Sequence, residues 1–320
     1  MHVNTAIADY LTSLEADGAR PATLKWYVSM LTSFHRHFDG VEVESITAAM
    51  LRQYVVDLRR RESRYCDAAQ RPEISGGVSD ETVRAHVRAL RGFWSWSARE
   101  YRLAVNPMEN IRQPKRKAGQ PKGISLGDVA RLLAVCGDDL EGQRDKALIA
   151  FLLDTGVRAQ SVFELRLAQL DMERRRVFVQ EKGQGTRPAF FTERTAALLS
   201  AWLAVRPVEA RTVFCIVAHQ RNFSGPLTPT VLNRMLKRRA AAAGVTGPCN
   251  PHAFRHAYAR EYLRNGGDLA TLARLMGHSD VKVTADYYAV FAESELASSH
   301  ERYSPLSGVE GAERGENKTN

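Results

Sequence analysis

Cysteine is scarce in this chain, and long apolar runs are absent from it. The four cysteines stand far apart and form no CxxC pair: they are Cys66, Cys136, Cys215 and Cys249. This spacing argues against a zinc ribbon or a disulfide framework and fits the reducing cytosol. No apolar run approaches the roughly 18 residues that a membrane-spanning helix needs. The first twenty residues have no basic start followed by an apolar stretch, so we expect no signal peptide, no membrane partner and a cytoplasmic protein.

Acidic residues are outnumbered, with 36 Asp and Glu against 45 Lys and Arg, which leaves a net charge of +9. An excess of positive charge favours a polyanionic partner, although many basic proteins bind none. The acidic residues form no cluster with the spacing of metal ligands, so the sequence indicates no metal site. A length of 320 residues suits two domains, each with a core of its own.

The first third of the chain has the apolar spacing of helices. Apolar residues recur at helical intervals over residues 4–16, a second helix begins at Pro21, and a third covers residues 46–60. Ser79 is a candidate N-cap of a long fourth helix, whose first turn is acidic and suits the helix dipole. The segment 62–78 contains a proline and a pair of glycines, so we predict a loop there.

A segment rich in proline, glycine and basic residues follows this helical third and covers residues 113–123. It is either a solvated basic loop or an interdomain tether that wraps an anionic partner. Because it stands between two folded blocks, we interpret it as a basic linker. Its candidate DNA contacts are Lys115, Arg116, Lys117 and Lys122.

The second block combines helices with a hairpin. Ser125 is a candidate N-cap, residues 144–154 have the composition of a buried helix, and strands at 176–180 and 188–191 flank the turn EKGQGTR. Further helices are predicted at residues 193–204, 229–243, 252–264 and 268–276. We therefore predict a mainly α protein with a small β-hairpin. Its parts are a helical domain over 1–112, the linker over 113–123, an α+β domain over 124–304 and a disordered tail over 305–320.

Arg158 lies where a buried helix ends at Thr155-Gly156 and the next turn begins. A cation at a helix N-terminus opposes the helix dipole. Two interpretations stay open: a surface arginine, or an arginine that shares a bound anion with backbone amides.

His252 and Arg255 are three residues apart in NPHAFRHAYAR, where Pro251 suits an early helical position. Their side chains share one helix face, while His256 points about 100° away. A histidine beside an arginine on one face should resist becoming a buried neutral pair. This face is either an exposed polar stripe or a grip on a phosphate, with arginine as a planar fork and histidine as a proton carrier.

Two further motifs each carry a lone basic side chain. Lys182 stands in the glycine-containing hairpin turn, and His278 follows Gly277, which ends a helix. Taken singly, these are a solvated lysine and a satisfied loop histidine. Tyr287 lies nine positions after His278, and its neighbour Tyr288 points about 100° away on a helix.

Together, TGVR, the EKGQG turn, HAFRH, MGHSD and the tyrosine after them occur in an order that resembles the tyrosine recombinases, the phage integrase family. The resemblance is specific over residues 124–290 and looser over 1–112, which resembles the family's core-binding domain. It implies six catalytic residues with Tyr287 as the nucleophile. They are Arg158, Lys182, His252, Arg255, His278 and Tyr287.

One position departs from the family pattern. Many members carry an acidic residue three positions after the first arginine, where this chain has Ser161. The support that this carboxylate gives to Arg158 or His252 is therefore in question here. Glu164, one turn later, is a candidate substitute.

The resemblance implies a site-specific DNA recombinase that acts through a covalent 3′-phosphotyrosyl intermediate, without metal, ATP or another cofactor. It also implies double-stranded DNA sites as partners, a dimer on each site and a tetramer at synapsis, with a need for accessory DNA-bending proteins left open. Residues 291–303 have the pattern of an amphipathic helix, which in relatives docks on a neighbouring protomer. The alternatives are a non-catalytic DNA-binding protein on the same fold, a type IB topoisomerase-like enzyme and a purely structural helical protein.

Overall fold

The computed structural model describes residues 1–64, 74–115, 123–181, 185–217, 223–277 and 300. It divides into two compact units, Met1–Ala118 and Gly119–Asn320. The division falls inside the segment that the sequence predicts to be a linker. The domain bounds given above stay a prediction.

Helices make up most of the described part of the first unit. They are α1 (Val3–Ala16), α2 (Pro21–His37), a 3-10 helix (Val43–Ser45), α3 (Ala48–Arg60) and α4 (Asp80–Glu100). The predicted third helix begins later than residue 46 because Thr47 caps it, its hydroxyl accepting a hydrogen bond from the amide of Met50. Ser79 caps α4 through the amide of Thr82, as predicted.

A small hairpin corrects the loop predicted over residues 62–78. Strand β1 (Ser63–Arg64) pairs antiparallel with β2 (Ile74–Ser75), and the amide of Gly76 adds a 2.8 Å hydrogen bond to the carbonyl of Glu62. The glycine pair therefore follows the second strand instead of breaking the segment. Strands of two residues have too little periodicity to be seen in the sequence.

Aromatic side chains dominate the core of the first unit. Phe34 lies at the centre, with ring centroids of Tyr54, Phe93 and Trp94 at 5.4, 6.2 and 6.4 Å. All four side chains are fully buried. The helical spacing of the apolar residues on α2, α3 and α4 brings these rings to one interior.

Seven α-helices and a 3-10 helix (Leu167–Gln169) occur in the described part of the second unit. The α-helices are α5 (Leu126–Ala134), α6 (Leu140–Thr155), α7 (Ala159–Phe163), α8 (Glu193–Val205), α9 (Pro229–Ala242), α10 (Pro251–Arg264) and α11 (Leu269–Met276). Helix α6 is buried on all sides, since every residue from 147 to 152 is inaccessible or nearly so. It begins four residues before the predicted start at 144, because Asp139 caps it through the amide of Gly142.

Two antiparallel sheets complete the second unit. The larger has the order β3 (Leu170–Asp171), β4 (Arg176–Glu181) and β5 (Gly185–Phe190), and the smaller pairs β6 (Cys215–Val217) with β7 (Phe223–Pro226). Strand β5 begins three residues before the predicted start at 188, and β3, β6 and β7 were not predicted. The fold class, mainly helical with small sheets, is confirmed.

None of the helices in the described ranges is long and apolar enough to cross a membrane.

Candidate active site

The chain reverses at Gly156, between the buried helix α6 and the short helix α7. Gly156 is the C-cap of α6 and has a left-handed backbone, with φ of 56°. A Cβ at this position would stand 2.3 Å from Cδ1 of Tyr258, so the ring of Tyr258 packs directly on the glycine. The turn therefore needs glycine twice, for its conformation and for its close contact with α10. It delivers Arg158 to the first position before α7.

Arg255 is the buried member of the site, with 6% of its surface exposed. Its Nη1 donates a 2.6 Å hydrogen bond to the carbonyl of Gly156, and its Nη2 donates one of 2.6 Å to the carbonyl of Met276. Arg255 thus joins the turn that carries Arg158 to the end of α11.

Arg158 binds the next carbonyl along the chain. Its Nη2 donates a 3.3 Å hydrogen bond to the carbonyl of Gly277, the C-cap of α11. The two arginines, from motifs about a hundred residues apart in sequence, therefore hold consecutive carbonyls at one helix end. His278 is the next residue of the chain. The negative end of a helix dipole suits such cationic contacts.

His252 and Arg255 differ in burial, although they lie one turn apart on α10. His252 is exposed next to Pro251 in the first turn, where Asn250 caps the helix through the amide of Ala253. The expectation that this pair resists burial therefore fails for Arg255, because carbonyl oxygens satisfy its charge inside the protein. His256 is half-buried, and its pKa is lowered by burial and by the nearby charges of His252 and Arg255.

Ser161 occupies the position where many relatives carry an acid. Its hydroxyl donates a 3.2 Å hydrogen bond to the carbonyl of Gln180 on β4, so it ties α7 to the hairpin. The candidate substitute, Glu164, is exposed and accepts a hydrogen bond from Gln160. Serine at this position thus has a structural contact that requires no negative charge.

Arg187 is a cation near this site that the sequence analysis did not single out. It lies on β5, opposite Val179 of β4. Burial lowers the pKa of Arg187 to about 10, while Tyr258 opposes that change. Burial, followed by the charge of Arg187, also lowers the pKa of Arg158. Alternation of side chains along β5 could have identified Arg187 as an inward-facing residue. The strand was predicted to begin only at residue 188, so Arg187 was left outside it.

Several predicted site residues lie outside the described part of the chain. They are Lys182, His278, Tyr287, Arg116, Lys117 and Lys122. Lys115 is described and exposed at the end of the first unit. The structure brings together Arg158 and Arg255, with His252 one turn away on α10. The roles of all ten residues stay predictions.

Comparison with known proteins gives the family. The model of the phage integrase family matches residues 124–294. Tyrosine recombinase XerC 1 of Ralstonia nicotianae is 31% identical over 254 residues, which cover 72% of this chain and 76% of that protein.

Solved structures agree in fold over nearly the whole chain. The Tn1549 transposon integrase in complex with a circular intermediate DNA has a TM-score of 0.71 at 16% identity, covering 93% of this chain and 98% of its own. A lambda integrase dimer bound to a COC′ core site has a TM-score of 0.67 at 15% identity, covering 90% and 77%. With the family match and the relative at 31% identity, these findings lead to one conclusion: the chain belongs to the phage integrase family and is a tyrosine-type site-specific DNA recombinase.

Proposed function

We propose that this recombinase cuts and rejoins DNA through a covalent 3′-phosphotyrosyl bond to Tyr287. The observation that supports this mechanism is the meeting of three motifs at the end of α11. Arg158 and Arg255 hold the carbonyls of Gly277 and Met276, the two residues of the MGHSD motif that directly precede His278. An arrangement that gathers basic side chains around one helix end suits a phosphate group.

The two arginines act as the electrostatic part of the reaction. When Tyr287 attacks the phosphorus, negative charge grows on the nonbridging oxygens of the pentavalent transition state. Guanidinium groups fixed in advance by backbone carbonyls stabilise that charge without a further cost of reorganisation. The hydrogen bonds of Arg255 to two carbonyls hold its planar group in one orientation, which is the property that this role requires.

The remaining residues move protons. The bond from the phenolic oxygen to phosphorus forms as the bond from phosphorus to the 5′ oxygen breaks, so the phenol loses a proton and the leaving oxygen gains one. A tyrosine with an ordinary pKa of about 10 needs help to lose that proton. His252, exposed in the first turn of α10, accepts or relays it. Lys182 protonates the departing 5′ oxygen, and His278 donates to a phosphate oxygen.

The partners follow from the relatives. The transposon integrase and the lambda integrase of similar fold are bound to DNA, and the latter is a dimer on its site. We infer that this protein binds double-stranded recombination sites in the cytoplasm, as a dimer on each site and a tetramer at synapsis. The helical region 1–112 serves as the core-binding domain, and the basic residues of 113–123 contact phosphates. Such contacts weaken steeply as salt rises.

The segment 291–303 supplies the contact between protomers. Residues 291–303, which apart from His300 lie outside the described ranges, have the pattern of an amphipathic helix and dock on the neighbouring protomer. A chain truncated after Val290 is expected to bind a single site and to lose synapsis. If native gel electrophoresis shows that the truncated protein still forms synaptic complexes, residues 291–303 do not supply the contact between protomers.

A nicked suicide duplex tests the reaction itself. The wild-type protein is expected to form a covalent adduct with its site, and Tyr287→Phe is expected to abolish the adduct. Tyr288→Phe is the matched control, because its hydroxyl points about 100° away on a helix. The reverse pattern would transfer the nucleophile to Tyr288. Absence of any adduct on a site that the protein binds would favour the non-catalytic DNA-binding alternative.

A further inference from the structure

Arg187 stands on the inner face of the β4–β5 hairpin. Side chains alternate along a strand, so Arg187 shares its face with Ala189, which is 2% exposed. Across the ladder, these two residues pair with Val179 and Val177, which are both buried. Thr186, Pro188 and Phe190 form the exposed face of the same strand. An arginine thus takes a position where the three other inner residues are apolar.

The inner face of the hairpin end lies against the turn that carries Arg158. Ser161, three residues after Arg158, donates its hydroxyl to the carbonyl of Gln180, the neighbour of Val179 on β4. The ring of Tyr258 packs on Gly156, two residues before Arg158, and lies close enough to Arg187 to interact with its charge. Arg187 therefore lies close to the turn that carries Arg158, through its pairing with β4 and through the nearby ring of Tyr258.

Two half-buried cations side by side oppose each other. The pKa of Arg158 is lowered by burial and then by the charge of Arg187. Like charges that share a site destabilise one another, and low local dielectric strengthens this effect. An anion bound between the two guanidinium groups attracts both of them and so offsets their mutual repulsion. The hairpin thus presents a second arginine toward whatever anion Arg158 binds.

We propose that Arg187 binds the DNA phosphate that Tyr287 attacks, beside Arg158 and on the hairpin that also carries Lys182. This inference rests on the proposed function and adds a phosphate-binding residue to it. The hydrogen bond from Nη1 of Arg187 to the carbonyl of Pro188, at 3.2 Å, helps to fix the guanidinium. Arg187 is thereby prepared to stabilise charge on a nonbridging oxygen.

The test compares Arg187→Gln with the wild type on the nicked suicide duplex. The matched control is Arg174→Gln, which removes an exposed arginine from the turn between β3 and β4. Loss of one fixed donor to a developing oxyanion typically costs about 10²- to 10³-fold in rate. We expect Arg187→Gln to slow adduct formation by about that factor while the Kd for DNA changes far less. Arg174→Gln is expected to react at the wild-type rate.

A substrate with a neutral scissile group shows whether Arg187 contacts the phosphate or only supports the fold. A methylphosphonate at the scissile position removes the charge of one nonbridging oxygen, so the need for a cation falls. The difference between wild type and Arg187→Gln is expected to shrink on this substrate. An equal defect on both substrates, or a rate equal to that of Arg174→Gln, would overturn the inference. If Arg187→Gln melts below the assay temperature, Arg187→Lys decides. Slower adduct formation with unchanged Kd supports the contact, and the wild-type rate overturns it.

The same experiment keeps the two proposals apart. A Tyr287-dependent adduct that forms normally in Arg187→Gln contradicts only the inference about Arg187. An adduct that survives Tyr287→Phe contradicts the proposed nucleophile but still reports the effect of Arg187. Absence of an adduct in the wild type overturns both.

Discussion

The two units of this protein differ in what they bury. Among the described residues of the first unit, the buried polar side chains are Ser33, His86 and Ser97, and the centre consists of aromatic rings. The second unit buries side chains that carry full charges: they are Arg144, Asp145, Arg206 and Arg255. Burial of a charge is costly unless partners compensate it. The stability of the second unit therefore depends on the partners of these charges.

Two of these buried charges, Arg206 and Arg255, hold the backbone at places where it changes direction. Arg206 donates to the carbonyls of Pro207 and Ala210, immediately after α8. Arg255 does the same for Gly156 and Met276 beside the candidate site. The first unit thus gains a stable helical scaffold from apolar packing. The second fixes specific chain reversals with arginines, and the candidate site is one of those reversals.

Removal of Asp145 is expected to have the largest effect on the second unit. Its carboxylate, fully buried, accepts hydrogen bonds from Arg144 at 2.7 Å and from Arg239 at 2.8 Å. Breaking a buried ion pair costs about 3–5 kcal/mol, and Asp145→Ala leaves three arginines, Arg144, Arg238 and Arg239, without this partner. We expect a loss of unfolding free energy at the upper end of that range, measured by urea denaturation. Asp171→Asn is the control, because its pair with Arg176 is partly exposed and should contribute at most about 1 kcal/mol. Equal losses of unfolding free energy for Asp145→Ala and Asp171→Asn would contradict the importance of buried charge in the second unit.

Truncation of Phe34 is expected to destabilise the first unit. Phe→Ala in a packed core costs about 3–5 kcal/mol, and the rings around Phe34 cannot collapse fully into the space. Three of the four tryptophans lie in the first unit, at positions 26, 94 and 96, so tryptophan fluorescence in a Trp202→Phe background reports its unfolding alone. We expect Phe34→Ala to lower the denaturation midpoint of this signal. An unchanged midpoint would show that the aromatic cluster does not stabilise the unit.

Gly156→Ala tests how the second unit positions its turn. A left-handed backbone costs a residue with a Cβ about 1–2 kcal/mol, and overpacking against Tyr258 adds about 1–3 kcal/mol. Gly244→Ala is the matched control, since Gly244 has a similar φ of 62° and open space around it. Thermal unfolding should show a larger loss for Gly156→Ala than for Gly244→Ala. Equal losses would mean that the ring moves aside, and the turn would then be less rigid than its contacts indicate.

Sequence patterns predicted most helices of this fold and the identity of the motifs. Long apolar periodicity located α4, and the family motifs led to Arg158 and Arg255 before any geometry was known. The start of α6 was missed because Gly142 argues against a helix, whereas the structure needs a glycine there. A Cβ at Gly142 would stand 2.1 Å from the carbonyl oxygen of Gly137.

The missed part of the candidate site depends on pairing between strands. Arg187 faces inward only because it is in register with Val179, and no local pattern of a glycine-containing turn reveals that register. The contact of Tyr258 with Gly156 joins residues about a hundred positions apart. Such contacts follow from tertiary packing, which single-sequence periodicity does not contain. The expectation that His252 and Arg255 resist burial failed for Arg255 for the same reason, because its carbonyl partners, Gly156 and Met276, are distant in sequence.

Alkaline pH provides the smallest expected effect, and one that the two units share. Burial raises the pKa of Tyr10 in the first unit and raises the pKa of Tyr258 in the second to about 12. In the unfolded chain a tyrosine has a pKa of about 10. Between these values the folded protein keeps the proton of Tyr258 and the unfolded chain loses it. The stability that Tyr258 contributes is therefore complete below about pH 10 and is lost as pH rises through about 12.

Tyr258→Phe isolates this contribution because phenylalanine has no proton to lose. We expect the free energy of unfolding to fall less steeply in Tyr258→Phe than in the wild type between pH 10 and 11, measured by urea denaturation at each pH. Tyr262→Phe, on the same helix, controls for the loss of a hydroxyl. Identical slopes in wild type and Tyr258→Phe would mean that the phenol is better solvated than its packing on Gly156 implies. The ring of Tyr258 would then no longer support the position of Arg187 beside the turn that carries Arg158, and the strand register would remain as its support.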